Sequence, residues 1–132
     1  NLGKKCALME DTQMSFEERR KLLSEIIIED IHGYAARFPS SGDDTISDTS
    51  YKIYDLVQML GKLIHPYAFF MLQGIREGKI KNRFGITEEN ADTVSAFVLY
   101  GIWGLIYNDR FTDSKIGTGI DDMETVIQKL FY

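Results

Sequence analysis

The sequence predicts an all-α fold, a bundle of five to six helices, and three observations carry that prediction. Apolar residues recur at three, four and seven positions through most of the chain, the period of a helix with one buried face. No stretch of useful length alternates apolar and polar residues as a half-buried strand does. The breaks between periodic stretches carry prolines, glycines and capping residues where helices stop and start. At 132 residues, 44% of them hydrophobic, the chain has one domain's worth of core.

Residues 1–14 show no clear period, although Leu2, Cys6, Ala7 and Leu8 fit the tail of a helix. The segment is left unassigned, and residues 15–132 are read as the domain. Ser15 then opens a clear helix. Ser15 and Glu18 have capping-box spacing, and Glu17 stands four residues before Lys21. Phe16, Leu23, Ile27, Ile31, Tyr34 and Phe38 form its core stripe, and Pro39 stops it. Ser40 to Asp48 is a polar loop that offers Ser47 or Asp48 as the next cap.

From Thr49 a second pattern carries Ile53, Tyr54, Val57, Leu60 and Ile64 up to Pro66. A proline there either kinks one helix or opens another, and the pattern does not choose. Tyr67, Phe70, Met71, Gly74 and Ile75 continue at helical spacing to an end near Gly78. Lys79 to Gly85 is a basic connector.

Ile86 to Asn108 is the stretch around which the chain is organised. Thr87 caps it and Glu88 and Glu89 suit its positive dipole end. Val94, Phe97, Val98, Gly101, Gly104, Leu105 and Asn108 fall on one side, and Ala96, Leu99, Trp103, Ile106 and Tyr107 on the other. A helix apolar on both sides is buried on both, so one face is expected on this chain's core and the other on a second chain. Gly101 and Gly104 fit close packing there, and a central core helix of a monomer is the plainer alternative. A loop, Asp109 to Ile120, leads to a last helix capped by Asp121 or Asp122, with Met123, Val126, Ile127, Leu130 and Phe131 on one stripe.

A net charge of −5 argues against this chain gripping nucleic acid by itself. No apolar run reaches a membrane span, so no membrane partner is expected. Cys6 is the single cysteine, which excludes an internal disulfide and suits a reducing cytoplasm. The start at Asn1 suggests a fragment.

Candidates for chemistry are few. Two histidines and one cysteine build no familiar zinc site, so no metal and no cofactor are expected. Gly74 to Lys79 is not a phosphate loop: the glycines stand too close, and Ile80 replaces the magnesium-binding hydroxyl. The acid pairs are explained by caps and loops, so an enzyme is not expected. Tyr34, Phe38, Tyr54, Met59, Tyr67, Phe69, Phe70, Met71, Tyr100, Trp103 and Tyr107 crowd the middle helices. Each alone reads as core; as a set, several polar-tipped aromatics suit a pocket for an apolar or aromatic small molecule. His65, beside Pro66, is either a satisfied residue at a helix bend or a ligand contact.

From Gln73 to Asn108 the sequence resembles the C-terminal effector domain of TetR-family transcriptional regulators. The features are Gly74-Ile75-Arg76-Glu77-Gly78-Lys79-Ile80, then Thr87 to Asp92 leading into an apolar helix with Gly101 inside it, then a short last helix to Tyr132. The resemblance implies a homodimer whose last two helices pair as a four-helix bundle, with Val94, Phe97, Gly101, Gly104, Leu105, Val126, Ile127 and Leu130 at the interface. It also implies a cavity for an effector molecule and allosteric control of DNA binding, in a repressor or activator, through a helix-turn-helix head that this chain lacks. A stand-alone helical dimerisation module with a filled core is the alternative.

Overall fold

The computed structural model describes residues 2–11, 13–36, 46–111 and 120–132, and every described element is helical. The elements are α1 (Leu2–Met9), α2 (Phe16–Glu25), a π-helical segment (Ile26–His32) running into α3 (Gly33–Ala36), α4 (Ile46–Arg76), α5 (Ala91–Phe111) and α6 (Ile120–Phe131). Because α2, the π segment and α3 form one continuous run, the described residues make five helical runs. The expected all-α class is what the chain adopts.

Helix α4 is the spine, with α5 packed along it and α1 and α2 against it. The unassigned N-terminal segment is helical because Cys6 and Met9, three residues apart, both reach the core. Lys5 on the same helix donates to Asp30 at 2.9 Å. That bond raises the Lys5 ammonium above its ordinary value.

Ser15 caps α2 as expected, accepting from the Glu18 N–H at 3.1 Å. The core stripe differs from the 3.6-residue reading. Ile26 and Ile31 are both fully buried while Ile27 is only half-buried. Five residues separate the two buried isoleucines, and a π turn carries more than four residues per turn. The local widening therefore turns Ile26 inward in place of Ile27.

Pro66 lies inside α4, which continues unbroken to Arg76. Its missing N–H costs a helix bond, and in the same turn the Ser95 hydroxyl of α5 donates to the Ile64 carbonyl at 2.6 Å. The helix begins at Ile46, so Ser47 and Asp48 lie within it and not at a cap. It ends in a Schellman turn: Lys79 N–H bonds the Gly74 carbonyl at 2.8 Å and Gly78 N–H bonds Ile75 at 3.1 Å, with Gly78 at φ 70°. Gly74 has no room for a side chain, since a Cβ there would stand 2.5 Å from Ile80 and 2.7 Å from Phe16.

The connector is tightly bonded. Asn82 pairs with both backbone groups of Ile86, at 2.8 and 2.6 Å. Thr87 and Asn90 cap one another reciprocally, Asn90 Oδ1 accepting from the Thr87 N–H at 2.7 Å and Thr87 Oγ1 from the Asn90 N–H at 3.4 Å. The cap is where the sequence puts it, and the regular helix runs from Ala91 to Phe111. Helix α6 has begun by Ile120, so Asp121 and Asp122 lie in its first turn instead of capping it. Among the described residues no helix is long and apolar enough to cross a membrane.

Candidate functional site

Helix α5 turns Ala91, Ser95, Leu99 and Ile102 into the core, a stripe of three- and four-residue steps. Ser95 is the polar member, satisfied by α4. Ile102 was assigned to neither face in the sequence, yet it is 6% exposed. The next side of the helix carries Val94, Phe97, Val98, Gly101 and Leu105.

These residues do not end at empty surface. With Val126, Ile127, Leu130 and Phe131 of α6 and Phe84 of the connector they line an open apolar groove of about 750 Å³. No lining residue is charged, and Thr93 is its single polar side chain. Phe97 is 83% exposed and stands out of the floor, while a Cβ at Gly101 or Gly104 would meet nothing within 4 Å. Gly104 and Asn108 are half-buried and lie beyond the groove lining.

The groove has a fixed second wall because α6 is held at its C-terminal end. Lys81 N–H donates to the Phe131 carbonyl at 2.8 Å, and Arg83 donates to the Lys129 carbonyl at 2.6 Å. Arg20 of α2 donates to Gln128 at 3.0 Å and stacks over the Tyr132 ring at 4.6 Å. Phe84 packs on Phe131 with ring centroids 5.6 Å apart. These contacts satisfy two of the carbonyls that a helix end leaves open. The basic connector therefore serves α6, a role not visible in its composition.

The aromatic and methionine set expected around a ligand is dispersed. Tyr67, Phe70 and Met71 are core residues, with Phe70 stacked on Phe16 at 4.7 Å and Tyr67 beside it at 6.1 Å. Met59 and Trp103 are half-buried against that core. Tyr54 is 62% and Tyr100 38% exposed. Tyr34 is half-buried and donates to Asp55 at 3.1 Å. His65 is exposed on the outer side of α4, beside Pro66, with Asp92 3.1 Å and Glu10 3.4 Å from its ring nitrogens. Phe38 and the side chain of Tyr107 lie outside the described residues. The same spacing places some described members of the set in the core and others on the surface.

Arg19 is a buried residue that the stripe reading passed over, at 1% exposure. Its guanidinium donates to the Met9 carbonyl at 2.8 Å, to the Asp11 carbonyl and to Gln73, and lies 4.8 Å from the Phe69 ring centroid. Burial lowers it from its ordinary value while the nearby Asp11 and Glu77 charges oppose the shift. Its position between Phe16 and Leu23 on one helical face was the available signal. Among the described residues no three His, Cys, Asp or Glu side chains gather as a metal site.

No family model matches this chain, and neither a curated protein nor a solved structure does.

Proposed function

We propose that this chain pairs with a second copy of itself through the α5–α6 face, as the dimerisation part of a regulator like the TetR-family effector domains its sequence resembles. One observation carries the reading: the apolar surface groove between α5 and α6 is lined by no charged residue and contains a phenylalanine held 83% in solvent. Covering a phenylalanine contributes about 1.5 to 3 kcal/mol, and a two-fold pairing covers it twice.

The face is suited to its own copy. Phe97 is a knob, and Gly101, one turn further along α5, leaves open space for one. A two-fold axis across this face sets each Phe97 against the partner's glycine turn. The uncharged lining also lets two chains of net charge −5 meet without opposing charges at the centre. On this reading DNA contact falls to a separate helix-turn-helix head, and the pairing of α5 and α6 sets the spacing of two such heads.

Replacing Phe97 by Asp tests the pairing. Sedimentation at micromolar concentration is expected to give a dimer for the wild type and a monomer for Phe97→Asp, with helical circular dichroism unchanged. A variant that sediments like the wild type rules this face out.

A further inference from the structure

Two copies paired through the α5–α6 face could set their α5 helices in the same or in opposite directions, and the order of residues along the face bears on which. Phe97 is its large exposed side chain, while Gly101 and Gly104 further along are bare, a Cβ at either meeting nothing within 4 Å. Each of these glycines costs helix propensity, and together they leave a gap in the helix surface. A two-fold axis parallel to the helices sets every residue at the level of its own copy, phenylalanine against phenylalanine and gap against gap. An axis perpendicular to them exchanges the levels. Centred near Leu99, it lays each Phe97 in the gap at the partner's Gly101 and Gly104, a knob in a hole.

We infer that the two α5 helices cross antiparallel at the level of Leu99, an inference that rests on the self-pairing proposed above. Other residues fit the same axis. It sets Val94 of one copy against the partner's Leu105, both half-buried members of the face. Asn90 and Asn108 stand eighteen residues apart, five turns of an ideal helix, and so lie on one line. Antiparallel crossing brings each Asn90 beside the partner's Asn108. The polar ends of the contact then coincide as its apolar centre does.

Charge favours the same direction. Glu88, Glu89 and Asp92 are exposed at the start of α5. Parallel helices would gather both sets of carboxylates at one end of the pair, where like charges repel. Antiparallel helices hold the sets at opposite ends, further apart than a screening length of about 10 Å.

Disulfide cross-linking of the full chain tests the direction. Val94→Cys and Leu105→Cys, combined in one chain, are expected to join two copies under mild oxidation, giving a covalent dimer on a non-reducing gel. Either substitution alone is expected to give none. In the antiparallel pair the two copies of position 94 stand about 15 Å apart along the helices, and a disulfide spans roughly 7 Å between Cα atoms. Cys6 is buried in the core and takes no part. A covalent dimer from Val94→Cys alone would mean a parallel pair and overturns the inference. A double variant that is a dimer by native mass yet forms no disulfide overturns it too, and leaves the self-pairing standing. A wild-type chain that stays monomeric removes the self-pairing and the direction with it. If the double variant loses its helical circular dichroism, mixing the two single variants makes the same test, with cross-links expected only in the mixture.

Discussion

A guanidinium shut away from water loses its hydration, and at Arg19 the replacement comes from two carbonyls, the Gln73 amide and an aromatic face. Those carbonyls belong to Met9 and Asp11, so one side chain fixes the turn between α1 and α2 and ties both to α4. Arg19→Ala leaves them unsatisfied and is expected to cost on the order of 3 kcal/mol in urea unfolding. Arg19→Lys should recover only a small part, since one ammonium lacks the fork that serves three acceptors. Tyr67 gives a second prediction at this scale. Burial raises its phenol well above the ordinary 10.0, so the folded protein keeps that proton to higher pH than the unfolded chain does. Stability therefore falls as pH rises through 10.0, by up to about 1.4 kcal/mol per pH unit for this group. Cys6 and Tyr132, both raised chiefly by burial, add to the same limb. Urea midpoints measured between neutral and strongly alkaline pH should drop, and Tyr67→Phe should flatten the drop.

Individual helices show which features a sequence can carry. The Ser15 and Thr87 caps were legible because a cap is a local bond between residues three apart. The π segment was not, since Ile26, Ile27 and Ile28 offer an apolar residue at every step and packing alone selects which turns inward. Pro66 was undecidable for a similar reason: α5, thirty residues further on, supplies the hydroxyl that supports the α4 turn. The two glycines of the Gly74 to Gly78 stretch also have local causes, a steric one at Gly74 and a left-handed turn at Gly78. Any helix ending this way would favour them, which limits the weight of the family resemblance at that point. Gly101 is different, being exposed in mid-helix with nothing near it in the protomer. Gly101→Ala is expected to stabilise the isolated protomer by up to about 1 kcal/mol through helix propensity. Gly101→Leu should instead weaken self-association, since a packed partner has no room for the larger side chain. Thermal melts at low concentration and sedimentation at high concentration separate the two effects. Concordant stabilisation in both would mean that nothing packs on Gly101.

Among the described residues, Phe97, Val126 and Leu130 put exposed apolar surface on the side formed by α5 and α6. That arrangement was legible because Val94, Phe97, Val98, Gly101 and Leu105 keep one period, with Val126, Ile127 and Leu130 on a second short stripe. How the aromatic set divides between core and surface was not legible, because Tyr67 in the core and Tyr54 in solvent obey the same spacing. A polar-tipped ring does not reveal its side of the helix until the neighbours are in place. What remains is a helical chain with a firm α4 spine and an apolar face for which we propose pairing with a second copy. Native mass spectrometry of the purified chain at low micromolar concentration tests that claim most directly. Twice the mass of one chain is expected. A chain that stays monomeric as its concentration rises would contradict it.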